Sequence, residues 1–386
     1  MSSNRRSFLT GALAAPLASR LSANDRPTYG LIAAGGRGRY LSRYFTKLGA
    51  QCVALCDVYE PYLELALKDT PGAKTYVNHQ ELLAQPGIDF IVSAGPDHWH
   101  CPHLLDSLKA GKDVYTEKPL SLNLAESRKM VDAVKSSGKI VQVGMQRRSA
   151  PSIFKAKQVI DNGTLGRITM VKAQWHWNNA KPLNNAPPEG KLHWERFLGS
   201  ARKRALDPQR WRYWRWFWDY AGGNMTDQGT HLMDVVQWFT NSGAPKSAMS
   251  HGYVAKNTPA EAPEVFSAIF DYGPFMATWT LNYCNSYEDG WSILFQGDEA
   301  TMRMDDAGFT VWREPWKQNR EPIMQEQSPV PIETHIQNFL DCIKSRQQPN
   351  CTVEIAQRAV AGPHLANQAF FKGRTLKLAS DLVTLS

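Results

Sequence analysis

Asp227 and His231 lie four residues apart, just ahead of the apolar run Leu232-Met233-Asp234-Val235-Val236. On a helix, positions i and i+4 share a face, so this carboxylate and this imidazole could point into one cleft. An unperturbed imidazole titrates near pH ~6.5, which suits it to take up a proton near neutrality. A neighbouring carboxylate can orient it or hold a hydroxyl. A second cluster suits anion binding. Gly35, Gly36, Arg37 and Gly38 follow a short apolar run, and Asp57 lies 19 residues after Gly38. Glycines let a backbone approach a pyrophosphate, a helix N-terminus offers free N–H groups and a positive dipole end, and the acid accepts from ribose hydroxyls. Asp57 would repel a 2′-phosphate and so favours NAD over NADP, although Arg37 could pair with such a phosphate. The first glycine of G-x-G-x-x-G is replaced by Ala33, which is tolerable if its backbone dihedrals are negative.

These groups need elements to carry them. Residues 28–33 read as a buried strand, residues 39–48 as a helix, and residues 51–56 as a second strand ending at Asp57, which together make a β-α-β unit. Further strands are expected at 89–94, 112–116 and 140–144. They end in Gly95-Pro96-Asp97-His98-Trp99-His100, Glu117-Lys118-Pro119 and Met145-Gln146-Arg147-Arg148. In an open parallel sheet that carboxyl edge is where ligands bind. Residues 27–150 thus read as a doubly wound α/β Rossmann domain and residues 151–386 as a substrate domain. Segments 168–176, 265–272 and 275–282 are rich in β-branched and aromatic residues and fit strands.

The motifs Gly35-Gly36-Arg37-Gly38, Pro96-Asp97-His98-Trp99-His100, Glu117-Lys118-Pro119 and Gly222-Gly223-Asn224-Met225-Thr226-Asp227-Gln228-Gly229-Thr230-His231 resemble those of the glucose–fructose oxidoreductase/inositol dehydrogenase (Gfo/Idh/MocA) family. The resemblance covers essentially the whole chain after residue 23. It implies an α+β second domain with a large, mostly antiparallel, open-faced sheet that often forms a subunit interface, hence a homo-oligomer. It also implies that Gly95, Asp97, His100, Glu117, Lys118 and Gln146 join the cofactor site, and that the Lys118–Pro119 peptide is cis. Trp175, at the end of a strand facing the site in this family, becomes a sugar contact, and Arg147 an anchor for an anion or hydroxyl.

Oxidising a sugar hydroxyl requires a base to take the O–H proton as hydride leaves for the nicotinamide. His231 is the natural base, Asp227 binds substrate or tunes the histidine, and Lys118 holds the reacting oxygen. The expected activity is an NAD-dependent oxidoreductase acting on a sugar or glycoside, with C3 of a pyranose as one target. One alternative is a glycoside hydrolase that oxidises, eliminates, hydrates and re-reduces around a tightly bound NAD. Another is a non-catalytic sugar-binding protein. His98, His100 and His103 form a tempting metal cluster, but the resemblance implies nicotinamide and ribose contacts for this edge of the sheet, and no metal is expected. The segment from Trp211 to Tyr220 has no helical or strand period. It reads either as a wall of the sugar pocket or as an inter-domain plug.

Composition narrows the classes. Hydrophobic residues make up 42% and charged residues 21% of the 386, enough for two packed domains and too few charges for disorder. No apolar run reaches the ~18 residues of a membrane span, and the +8 net charge is not gathered into a stripe suited to nucleic acid. Three of those charges, Arg5, Arg6 and Arg20, fall in residues 1–23, where Arg5-Arg6-Ser7-Phe8-Leu9 before an alanine-rich stretch reads as a twin-arginine export signal. The expected location is therefore periplasmic or otherwise outside the cytoplasm. Of the six cysteines, Cys52 and Cys56 are too far apart along a strand to bridge, whereas Cys342 and Cys351 could pair across a loop.

Overall fold

A computed structural model of the chain describes residues 26–257 and 259–386. Residues 1–23, expected to direct export, lie outside them. The first sheet contains β1 (Thr28–Ile32), β2 (Gln51–Cys56), β3 (Lys74–Tyr76), β4 (Phe90–Ser93), β5 (Asp113–Thr116) and β6 (Val141–Val143), in the order β3-β2-β1-β4-β5-β6. All five pairings are parallel. Strands buried on both faces read as continuous apolar runs, as β1 and β4 do. The order reverses between β1 and β4, which opens a crevice at their carboxyl ends. This is the expected Rossmann domain.

The second sheet has nine strands. In chain order they are β7 (Ile168–His176), β8 (Ser247–Tyr253), β9 (Val265–Asp271), β10 (Met276–Asn282), β11 (Gly290–Gly297), β12 (Ala300–Asp305), β13 (Gly308–Arg313), β14 (Met324–Gln327) and β15 (Leu376–Lys377), laid side by side as β14-β13-β12-β11-β7-β10-β9-β8-β15. Only β7 and β10 pair in parallel; the rest are antiparallel. Side chains alternate between faces. One face packs helices Gly229–Phe239 and Val353–Lys372 around Trp279, Phe270 and Phe295. The other stays open and exposes Met249, Ile269 and Met276.

The chain then crosses back. Ile336, Phe339 and Leu340 of helix Glu333–Ser345 belong to the core on one face of the first sheet, with Tyr29, Phe45 and Phe90. Val353, Ala356 and Val360 at the start of the last long helix belong to the core on the opposite face. The boundary at 150 therefore marks where the chain leaves the parallel sheet, while the core of that sheet is completed from beyond residue 330. This arrangement also excludes the Cys342–Cys351 bridge that the sequence left possible. Both are free thiols, because they are buried in cores on opposite faces of the sheet. No helix among the described residues is long and apolar enough to cross a membrane.

Candidate active site

The crevice between β1 and β4 holds a cavity of about 570 Å³ lined by Gly35, Gly36, Arg37 and Asp57. Helix Gly36–Lys47 begins there with Gly35 as its N-cap, and no side chain caps it, so its first N–H groups remain available to an anion. Gly38 is sterically required: a Cβ there would lie 2.0 Å from the Ala33 carbonyl oxygen. Ala33 itself departs from expectation. Its φ is +69°, so the position keeps the left-handed backbone of the glycine it replaces and carries the strain of a Cβ. Asp57 caps the turn after β2 by accepting from the Tyr59 N–H at 2.8 Å, and burial pushes its carboxyl up to about 7. Arg37 is held by Glu117 (Nε to Oε1 2.8 Å, Nη2 to Oε1 2.7 Å) and is not free to seek a phosphate. Glu117 in turn lies against Gly144, where a Cβ would come within 2.7 Å of its carboxylate. These features fit a dinucleotide, with Asp57 at the ribose and the Gly35–Gly38 turn at the pyrophosphate.

Beside it lies a second cavity of about 400 Å³, lined by Gly95, Glu117, Lys118, Gln146, Asp227 and His231. Arg37, Ala94, Trp214 and Arg215 line both cavities. The Lys118–Pro119 peptide is cis. The Lys118 ammonium donates to an Asp227 carboxylate oxygen and, at 2.9 Å, to the Asp227 main-chain oxygen. Burial alone would raise the Asp227 carboxyl, but the Lys118 and Arg215 charges outweigh it and hold the group below the usual carboxylate range. Burial, reinforced by the positive charges of Lys118, Arg147 and Arg37, drives His231 well below the usual imidazole range, so its ring is neutral at neutral pH and free to accept a proton. Asp227 and His231 do not share one helix as expected. Helix Gly223–Asp227 ends at Asp227, and helix Gly229–Phe239 carries His231. A Cβ at Gly229 would lie 2.5 Å from the Met225 side chain, so glycine lets the two segments stagger closely and bring both groups to one cavity.

Four expected contacts sit elsewhere. The two ring nitrogens of His100 lie between the Pro119 and Gly95 carbonyl oxygens at 2.6 and 2.8 Å, so it holds the Lys118–Pro119 turn instead of lining a cavity. Asp97 is buried at the start of helix Asp97–Lys109, where burial and then the Asp227 charge push its carboxyl up to about 8. The Arg147 guanidinium is buried 4.2 Å over the Trp291 ring and 5.6 Å from that of Trp175. Trp175 lies beneath the cavity, and its neighbour Trp177, 5.7 Å away, lines it instead. Among the described residues no group of three or more His, Cys, Asp or Glu is placed to hold a metal. The Nε2 of His98 and the Nε1 of Trp99 instead both meet the Phe197 carbonyl oxygen at 2.8 Å.

Phe197 belongs to a strap between β7 and helix Gly223–Asp227. The strap docks on the first domain: the His193 N–H donates to Val58 O at 2.8 Å, the Glu60 N–H donates to Lys191 O at 3.0 Å, and Trp211 meets Tyr59 with ring centroids 4.6 Å apart. The aromatic segment is part cavity wall and part inter-domain plug. Trp211, Arg212, Trp214 and Arg215 wall the larger cavity. Trp214, Arg215 and Trp216 wall the smaller one, while Phe217 and Tyr220 are buried in the plug. Asn179, Asn224, Gln228 and Tyr283 also line the smaller cavity. Asn224 and Gln228 fall within the Gly222–His231 motif but carried no signal of their own, and no motif marked Asn179 and Tyr283, which follow β7 and β10.

Residues 28–145 match the family model described as an oxidoreductase family with an NAD-binding Rossmann fold, and residues 153–303 match the GFO/IDH/MocA C-terminal domain. The chain belongs to the GFO/IDH/MocA family. Among curated relatives, scyllo-inositol 2-dehydrogenase (NAD(+)) of Bacillus subtilis is 34% identical over 210 residues, 54% of this chain and 52% of the relative. Inositol 2-dehydrogenase of Agrobacterium fabrum is 33% identical over 163 residues, 41% of this chain and 48% of the relative. The chain thus spans about half the length of these curated relatives. The WlbA dehydrogenase of Bordetella pertussis, solved with NADH and UDP-GlcNAcA, superposes with a TM-score of 0.71 at 21% identity, covering 92% of this chain and 99% of that one. Aldose-aldose oxidoreductase of Caulobacter crescentus gives 0.72 at 17% identity over 92% and 100%. This GFO/IDH/MocA member therefore carries the NAD-binding Rossmann fold of an oxidoreductase family, and the fold expected for both domains is the one observed.

Proposed function

We propose that the chain oxidises a hydroxyl of a sugar or glycoside with NAD, C3 of a pyranose being one candidate position. The observation that carries this reading is the convergence of Lys118, Asp227 and His231 in one tryptophan-walled cavity that shares residues with the dinucleotide cavity. Flat rings suit the C–H faces of a sugar, and the inositol and aldose substrates named for relatives support a polyhydroxylated ring. Bound NAD supplies the hydride acceptor. The neutral His231 imidazole takes the proton of the reacting hydroxyl. The Lys118 ammonium holds that oxygen and offsets its developing negative charge, and the Asp227 carboxylate keeps Lys118 in place and balances the imidazolium. Trp214 and Trp216 exclude water from one side.

The strap over the dinucleotide cavity supports slow NAD release. A retained cofactor suits a closed cycle, either sugar-to-sugar transfer or redox-neutral glycoside cleavage, and it suits the export proposed from Arg5 and Arg6. The open sheet face with Met249, Ile269 and Met276 supports a homo-oligomer.

The test is to denature purified protein, quantify released dinucleotide by chromatography, and screen sugars and chromogenic glycosides with and without added NAD. The expected result is bound NAD and sugar-dependent reduction. His231→Gln and Lys118→Met should each lower kcat by about 10²–10⁴ while leaving NAD binding intact. Sugar binding without any reduction or glycoside cleavage would move the reading to a binding protein.

A further inference from the structure

We propose that Arg215 reads a carboxylate on the substrate, so that the sugar this site prefers is a monoanionic sugar acid. The proposal rests on the sugar-oxidation reading and narrows its substrate class. Five side chains lining the smaller cavity carry formal charge: Arg37, Lys118 and Arg215 against Glu117 and Asp227. Arg37 is engaged through two nitrogens on Glu117 at 2.8 and 2.7 Å. Lys118 is engaged with the Asp227 side chain and with its main-chain oxygen at 2.9 Å.

Arg215 differs. Its Nε stands 3.3 Å from Asp227 Oδ2, and its two terminal amino groups meet no protein acceptor among the described residues. Its Cζ lies 4.1 Å over the Trp214 ring, a stack that fixes the guanidinium plane while leaving its N–H edge available. The side chain is 46% exposed, at the junction of the two cavities. A planar fork with unfilled donors matches the two oxygens of a carboxylate. The single surplus cation balances one negative charge, whereas a phosphate monoester brings about −1.5 to −2. The competing role for the same group is the cofactor pyrophosphate, since Arg215 also lines the dinucleotide cavity.

The experiment uses the full chain saturated with NAD and five probes: glucose, galactose, glucuronate, galacturonate and glucose 6-phosphate. Binding is read from quenching of tryptophan fluorescence and turnover from NADH absorbance. A hexuronate is expected to bind at least about tenfold tighter than its neutral hexose, one factor of ten being about 1.4 kcal/mol. Arg215→Gln should erase that preference while leaving the Kd for NAD unchanged, and Arg215→Lys should keep part of it. Equal binding of hexose and hexuronate, tightest binding of glucose 6-phosphate, binding of none of the five, or a loss of NAD affinity in Arg215→Gln with the sugar preference intact would each overturn the proposal. Failure of the oxidation reading looks different: no NADH from any sugar, with hexuronate binding still dependent on Arg215.

Discussion

At the residue scale, Asp57 and Ala33 make the sharpest predictions. The Asp57 carboxyl is raised to about 7 by burial, and ribose hydroxyls donate to its charged form. NAD affinity should therefore rise with pH through neutrality, by roughly tenfold between pH 6 and 8 if only the carboxylate binds. Asp57→Asn should flatten that slope, as titration calorimetry at several pH values would reveal. Ala33 carries φ +69° with a Cβ. Ala33→Gly removes a strain of about 1–2 kcal/mol, offset by about 0.4–1 kcal/mol of added unfolded-chain entropy. The expected net gain, between zero and about 1.6 kcal/mol, is measurable by urea titration, and a loss of stability would refute the strain. Sequence marked Gly35, Glu117, Lys118, Asp227 and His231 because each sits in a motif with a chemical reason for its spacing. It misplaced Trp175 and Arg147 because residue type does not say how deep a side chain lies. Both are large groups suited to a sugar, yet neither lines the cavity, where Trp177 stands in the place expected of Trp175.

At the element scale, the strap from β7 to helix Gly223–Asp227 is the main departure from what the sequence disclosed. Its tryptophans were conspicuous, but its docking depends on Val58 and Glu60, more than 100 residues away, and no local period encodes such a pairing. The dinucleotide cavity is walled by the strap as well as by the glycine turn, so loosening the strap should speed cofactor release. Trp211→Ala removes the ring packed on Tyr59 and should raise the NAD dissociation rate by tenfold or more, at a cost to stability of about 3–5 kcal/mol at most. Stopped-flow displacement would show this, and an unchanged off-rate would mean the strap does not gate the cofactor. Five of the six strands of the parallel sheet, by contrast, were legible, since each is a short apolar run ending in polar residues; the edge strand Lys74–Tyr76 is short and largely exposed and carries no such run.

At the scale of the whole molecule, the two sheets are not independent. The amphipathic helix Glu333–Ser345 announces a buried face, but its sequence cannot say that the face meets Phe45 and Phe90 and not the second sheet. A fragment ending at residue 150 would expose that surface and should fail to fold, whereas the full chain should unfold in one transition by calorimetry. Phe339, fully buried among aromatic neighbours, offers a finer test. Phe339→Ala should cost about 3–5 kcal/mol and should weaken NAD binding even though Phe339 lines neither cavity.

The return of the chain to its first sheet also imposes a timetable. A ribosome releases residues 28–143 early, yet Phe339 and Val360 join their cores only once the chain has emerged beyond residue 360. Until then the nascent first domain keeps an apolar flank uncovered on each face of its sheet. The nucleotide pocket therefore matures only after residue 360 has emerged, and a nascent chain stalled before residue 330 should be held by chaperones that bind exposed apolar segments.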